Sequence, residues 1–348
     1  MKNIKMQIQK GLDKGKKTFQ FDNEHDQTKP AEWWFQNIPE GLVLFVVFYT
    51  QACRWGRCLG CNLPSKSAAD HVDYKAIVSQ IDYLFDLKII QKKRFQIRKV
   101  IVSNNGSVLD EDTFSSTALM YLMVKLNLTF PHLSTLCIET RPEYVEVEEL
   151  EFLRRSLNEG DTPTKLELAI GFEVFDNRIR NKIFMKGLSL NTFEKFVEKV
   201  APYKYDIKCY FMQKPVPGMT DKEAISDVKS GIDYFSRLAE YHDININMHL
   251  NPTFVAKGTA LAEAFYQGEY KPPALMDVVI SALYAEKKRL SLFIGLSDEG
   301  LAVEHGSHIN DANLEMIDKI EQFNRTQSYE LLHEVLMENL VPSELYCS

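Results

Sequence analysis

Three of the chain's six cysteines fall within nine residues: Cys53, Cys58 and Cys61, in the stretch QACRWGRCLGCNL, with gaps of four and two. Thiolates at this spacing suit an iron–sulfur cluster or a zinc ion. Structural zinc takes four ligands, commonly offered as two separate pairs. No second pair exists here, and no His lies within nine residues of the trio on either side. The remaining cysteines, Cys137, Cys209 and Cys347, are isolated; the first two read as core thiols and the last as incidental. A cluster with one open iron, an incomplete zinc site and plain buried thiols are the three readings of the trio. Four irons on three cysteines leave one iron for an outside ligand, and a reduced cluster can pass that ligand one electron. S-adenosylmethionine is the cofactor that exploits such chemistry.

The elements that must position these thiols alternate. Strands are predicted at Leu42–Thr50, Arg98–Ser103, Leu133–Glu139, Lys165–Glu173, Asp206–Gln213, Ile244–Asn251 and Leu290–Leu296, where short apolar, β-branched runs suit burial on both faces. Helices are predicted between them at Tyr74–Leu87, Phe114–Leu126, Val147–Leu157, Leu190–Val200, Lys222–Tyr241 and Leu275–Arg289, from apolar residues at three- and four-residue spacing. Six strand–helix repeats imply right-handed parallel crossovers, in a doubly wound sheet or a full or partial β/α barrel. Asp311–Val341 reads as a C-terminal helical pair, and the aromatic triplet Trp33, Trp34 and Phe35 as packing onto the main body.

Ligands of parallel α/β proteins bind where the strands end. The cysteines follow the first strand. Ser103-Asn104-Asn105-Gly106-Ser107 follows the second, with Gly106 allowing a close backbone turn and the amides and hydroxyls offering donors and acceptors, or forming a plain Asn-Gly turn. The third strand closes on Glu139 and Arg141, which either pair with each other or face a polar ligand. The fourth closes on Glu173, the fifth on a rigid turn bearing Lys214, and the sixth carries His249 in a polar row with Asn247 and Asn251. Polar residues at five successive strand ends, beside a three-thiol loop, point to one mouth.

The bulk properties set limits. At 348 residues and 45% hydrophobic content the chain suits a full α/β core. A net charge of −7 gives no general attraction for nucleic acid; the one basic block is the N-terminal segment bearing Lys2, Lys5, Lys10, Lys14, Lys16 and Lys17, either a solvated end or a phosphate contact. Cysteine usage fits a reducing compartment, and no apolar signal core or membrane-length run occurs, so a soluble, cytoplasmic protein with no membrane partner is expected.

With the triad, the motifs SNNGSVLD (Ser103–Asp110), IETRPEY (Ile138–Tyr144), LAIGFE (Leu168–Glu173), NKIFMKG (Asn181–Gly187), KCYFMQKP (Lys208–Pro215), LNPTFVAKGT (Leu250–Thr259) and GEYKPP (Gly268–Pro273) occur in order. The chain thereby resembles the radical S-adenosylmethionine superfamily, in the branch that holds the Elongator catalytic subunit and, more closely, the radical subunit of archaeosine synthase. The resemblance implies a partial (β/α)6 TIM-like barrel over 41–305, with an N-terminal extension over 1–40 and a C-terminal helical extension over 306–348. It implies Cys53, Cys58 and Cys61 as ligands of a [4Fe–4S] cluster. Asn104, Asn105, Gly106 and Ser107 would receive the methionyl amine of S-adenosylmethionine, and Glu173 its ribose or methionyl part. Glu139 and Arg141 would lie beside the cofactor; Lys186, Lys214, His249 and Asn251 are substrate-side candidates. Two departures stand out: the first cysteine gap is four rather than the commoner three, and Gly60 replaces the usual aromatic residue, so the adenine contact must come from Leu59, Asn62 or Leu63. The family's reaction implies tRNA as substrate, a partner subunit that attaches lysine to a 7-deazaguanine base, and an electron donor such as flavodoxin or ferredoxin. Radical chemistry on a small molecule or peptide, and a non-enzymatic iron–sulfur or zinc protein, are the alternatives.

Overall fold

A computed structural model of the chain describes residues 2–308 and 314–340; Cys347 and parts of the expected C-terminal extension lie outside them. The elements run α1 (Lys2–Lys14), β1 (Glu32–Ile38), β2 (Gly41–Val47), α2 (Tyr74–Asp86), α3 (Lys88–Lys93), β3 (Ile97–Ser103), α4 (Ser116–Thr129), β4 (Thr135–Thr140), α5 (Val147–Leu157), β5 (Lys165–Glu173), α6 (Leu190–Val200), β6 (Asp206–Gln213), α7 (Asp221–His242), β7 (Ile246–Pro252), α8 (Ala260–Tyr266), α9 (Leu275–Leu283), β8 (Ser291–Ile294), α10 (Leu314–Thr326) and α11 (Tyr329–Leu340).

The eight strands form one sheet in chain order. β2 to β8 are parallel, joined by six helical crossovers, and β1 pairs antiparallel with β2. The fold is α/β, a partial TIM-like barrel. Alternation along each strand sorts two cores. Leu44, Val46, Val100, Val102, Leu136 and Ile138 face the helices, while Val43, Ile101, Cys137 and Ala169 fill the concave face. Cys137 and Cys209 are both fully buried. Helix starts are fixed by side-chain caps: Asp73 accepts from Lys75 N, Ser115 from Thr117 N, Ser189 from Thr192 N, and Thr220 forms a capping box with Glu223.

The sheet is open between β1 and β8, and α10 packs against both. Side-chain amides from α10 and the residue that follows it act as a surrogate strand on β8. Asn324 Nδ2 donates to Ile294 O (2.8 Å) while its Oδ1 accepts from Ile294 N (2.8 Å). Gln327 does the same at Leu292, accepting at 3.3 Å and donating at 2.9 Å. The aromatic triplet lies in β1, which the sequence pattern had not marked as a strand; Trp34 stacks on Phe45 of β2 at 4.2 Å.

Candidate active site

Beyond β2 the chain leaves the sheet and turns at Gly56, whose φ of 60° favours glycine. Cys53, Cys58 and Cys61 are partly exposed on the resulting loop, and the three thiols are close enough to act on one another electrostatically. Burial pushes the Cys58 thiol up and that of Cys61 to about 12. Among the described residues, no three His, Cys, Asp or Glu side chains converge on a point where one metal ion would sit. Three cysteines can each bind a different iron of a cube and leave the fourth iron for an outside ligand, so the donor set fits such a cluster. Gly106, from the loop after β3, approaches the same place: a Cβ there would stand 3.3 Å from the Cα and Cβ of Cys53.

The loop's shape is held by a residue far away in sequence. Lys17 Nζ donates to the carbonyls of Cys58 (2.6 Å), Leu59 (3.0 Å) and Cys61 (2.8 Å), using all three of its protons. Leu59 N donates to Phe184 O (2.8 Å), and the Leu59 side chain packs beside Phe184, Val216 and Met219. Asn62 is buried, and its amide is spent on the carbonyls of Lys257 (3.1 Å) and Leu301 (3.3 Å).

Facing the cysteines is a buried charged group. Lys186 Nζ lies 2.8 Å from Glu173 Oε1, and Lys186, Glu173 and Arg141 all act electrostatically on Cys58. Glu173 sits at a register shift at the end of β5 with φ 74°, and a Cβ on Gly171 would come within 2.3 Å of both Glu173 Oε1 and Lys186 Nζ. The segment presenting Lys186 is built by the fully buried Arg180, which donates to Leu188 O (2.7 Å), Val174 O (2.8 Å) and Phe175 O (2.8 Å), and by Asn181, which both donates to and accepts from the Leu188 backbone. This is the structural content of the NKIFMKG stretch.

Glu139 and Arg141 do not pair. Arg141 Nε donates to Glu143 (2.5 Å), its NH2 to Lys186 O (3.2 Å), and its guanidinium lies over Trp55. Glu139 turns into the lumen, accepting from the Tyr210 hydroxyl and from Ser103, with burial holding its carboxyl above the usual range. Asn104 and Ser107 are buried scaffold: Asn104 accepts from Gly106 N (3.1 Å), and Ser107 bonds Thr140 (2.6 Å). Asn105, at φ 58°, carries a shielded side-chain nitrogen with no hydrogen-bond partner among the described residues. Lys214 is turned away onto Asp221 at the start of α7 (2.7 Å).

His249 lies mid-strand in the lumen, in the row with Asn247 and Asn251. It lines a cavity of about 470 Å³ at the strand starts, with Lys99, Glu167 and Lys208. Glu167 there lies 2.8 Å from Lys99 and 3.6 Å from Lys208, and the paired lysines depress its carboxyl to about 2 against the cost of burial. Burial, with the neighbouring lysines, keeps His249 neutral, well below its ordinary value. Sequence reading assigns Trp55, Arg180 and the Lys99–Glu167–Lys208 group no site role, and carries Lys17 only within the N-terminal basic block and Gly171 only within the LAIGFE stretch. Of these, only the Gly-Phe-Glu end of β5 carried a local signal.

No family model matches the chain. It is 27% identical over 322 residues to an uncharacterized protein of Methanocaldococcus jannaschii, covering 88% of this chain and 84% of that one. To archaeosine synthase subunit beta of Methanosarcina acetivorans it is 25% identical over 306 residues, covering 86% and 84%. Among solved structures, Elp3 of the archaeon Methanocaldococcus infernus aligns with a TM-score of 0.49 at 16% identity, over 77% of this chain and 59% of that one. No helix among the described residues is long and apolar enough to cross a membrane.

Proposed function

We propose that this chain, a radical S-adenosylmethionine enzyme of the Elongator-like branch, modifies a nucleoside in tRNA by archaeosine-synthase-like chemistry: cleavage of a C–N bond in a lysine-adducted 7-deazaguanine. The observation that carries the reading is the three-thiol loop beside the Glu173–Lys186 pair at the C-terminal edge of the sheet, in a chain related along most of its length to an archaeosine synthase beta subunit. Cys53, Cys58 and Cys61 would hold a [4Fe–4S] cluster. When bound, the cluster supplies one electron, drawn from a donor such as flavodoxin or ferredoxin, that cleaves S-adenosylmethionine to methionine and a 5′-deoxyadenosyl radical.

The chain's own residues bind, orient and shield. Asn105 and Gly106 would receive the methionyl amine, with Asn104 and Ser107 fixing their turn. Glu173, oriented by Lys186, would accept from the cofactor's hydroxyls or amine. Arg141 places a fixed positive charge near Cys58, which favours its thiolate against the opposing effect of burial. A relative named as a beta subunit supports a partner subunit, here one that lysinylates the base.

Anaerobically reconstituted protein given S-adenosylmethionine and dithionite should release 5′-deoxyadenosine, and tRNA bearing the adducted base should be converted. Cys58→Ala should abolish the cluster's brown absorbance; a variant that still reconstitutes four irons refutes the ligand assignment. The acidic balance, −7, favours a second reading with a small-molecule or peptide substrate. Conversion of such a substrate, with no tRNA binding at low salt, would decide for it.

A further inference from the structure

On the outer flank of the cysteine loop a cleft of about 520 Å³ opens between α1 and the loop, lined by Gln7, Lys10, Asp13, Lys14, Arg54, Trp55, Arg57 and Tyr144. Its construction is unusual. α1 carries Gly11 in its last turn, where it costs an isolated helix about 1 kcal/mol relative to alanine, and Gly15 follows directly after the helix end. Both are needed for contact. A Cβ on Gly11 would stand 2.3 Å from Trp55 O, and one on Gly15 3.0 Å from Arg57 Cα. The helix therefore lies directly on the Trp55–Arg57 backbone, with Ile8 and Leu12 buried beside Ala52.

This close approach gathers cations. Arg54 is neutralised by Asp110 (2.6 Å) and Asp112 (2.6 Å). Asp13, the one carboxylate on the wall, is engaged by Gln9 (2.8 Å). Lys10, Lys14 and Arg57 have no carboxylate partner among the described residues. The Arg57 guanidinium is stacked on Trp55 at 3.9 Å, and its Nε is shielded from solvent with no hydrogen-bond partner. Trp55 is itself pinned through its indole N–H to Met185 O (2.7 Å). An arginine held flat on a fixed ring, with unspent donors, is preorganised for a phosphate oxygen. Two exposed lysines, one helical turn apart, extend the positive surface along the helix. On a chain of net charge −7, three cations without ion-pair partners, set against the single carboxylate of Asp13, leave a locally positive surface that suits an anionic strand.

We propose that this cleft is the docking site for the phosphodiester backbone of the RNA substrate, with successive phosphates on Arg57, Lys14 and Lys10. Both stackable rings on its wall are already covered by guanidinium groups, Trp55 by Arg57 and Tyr144 by Arg54. The contact is therefore to the backbone and carries no base readout. The inference rests on the tRNA reading above. Because Arg57 and Trp55 lie between Cys53 and Cys58 in the chain, the strand would be registered directly against the loop that holds the reactive centre.

The test is tRNA binding by full-length, reconstituted protein across a salt series, compared with Lys10→Glu/Lys14→Glu and with the matched charge reversal Lys88→Glu/Lys92→Glu on α3. Iron content and circular dichroism check that each variant is folded and loaded. The α1 variant should bind at least about tenfold more weakly, with the slope of log K against log salt flattened by about 1.4 to 1.8, two contacts at about 0.7 each on a single strand or about 0.9 on a duplex. The α3 variant should match wild type. Binding by wild type that both variants weaken equally, or neither weakens, overturns the cleft and leaves the tRNA reading standing. Wild type that cleaves S-adenosylmethionine yet binds no tRNA at low salt overturns both.

Discussion

Gly171 decides whether Glu173 and Lys186 can meet. Any Cβ there would occupy the space of both charged atoms. Gly171→Ala should therefore raise the Kd for S-adenosylmethionine about tenfold or more, as should Glu173→Ala, while reconstituted iron stays at the wild-type level; isothermal titration on loaded protein reads this. Unchanged affinity in both variants would remove Glu173 from the cofactor site. A different charged residue governs stability. Glu167 is buried between Lys99 and Lys208, and Glu167→Gln would leave two cations without their counter-ion. Removing one member of such a group costs about 3–5 kcal/mol, readable as a lower denaturation midpoint. At this scale the sequence was half legible. Carboxylates at the ends of apolar runs, Glu139 and Glu173, declare themselves because burial of such groups needs a reason. Lys17, Arg180 and the lysines around Glu167 do not, since each depends on a partner that nearby sequence does not reveal.

Elements were read more fully. The bounds of β5, β6, α5 and α6 match the expected spans, because their periodicity is local, and α6 adds a local cap at Ser189. α1 and β1 are not legible as elements: α1 is rich in lysine and holds Gly11 in its last turn, and β1 is a short aromatic run whose strand character comes from pairing with β2. Connections between elements are also held by side chains. Asp227 of α7 accepts from the amides of Phe175 (2.8 Å) and Asp176 (2.7 Å), tying the chain after β5 to that helix, and burial raises its carboxyl to about 6. A raised carboxyl contributes stability below its unfolded value of 3.8 and loses it as pH climbs through about 6. The unfolding free energy of wild type relative to Asp227→Asn should thus fall by up to about 3 kcal/mol between about pH 4 and pH 7. A difference that is flat with pH would show that the ionised carboxylate is the folded form. Likewise Lys17→Met, which strips the donor from three loop carbonyls, should cut iron retained after desalting at least severalfold; full retention would make Lys17 dispensable to the loop.

At the scale of the molecule, six crossovers and parallel strands put every strand end on one side, so one architectural fact collects Cys53, Asn105, Arg141 and Glu173 at one mouth. That much followed from the alternation of patterns. The closure of the gap between β1 and β8 did not, because α10 is separated by nearly the whole chain from β1 and meets it only in the folded state. The amides of Asn324 and Gln327 have a further consequence. A sheet edge with free backbone groups is a template for strand addition by another molecule, the first step toward fibrils. Here the last strand offers its Leu292 and Ile294 groups to side chains of its own protein. Asn324→Ala/Gln327→Ala should therefore bind thioflavin T on mild heating where wild type does not. A companion protein that joined this one by extending its sheet would find the β8 rim already taken.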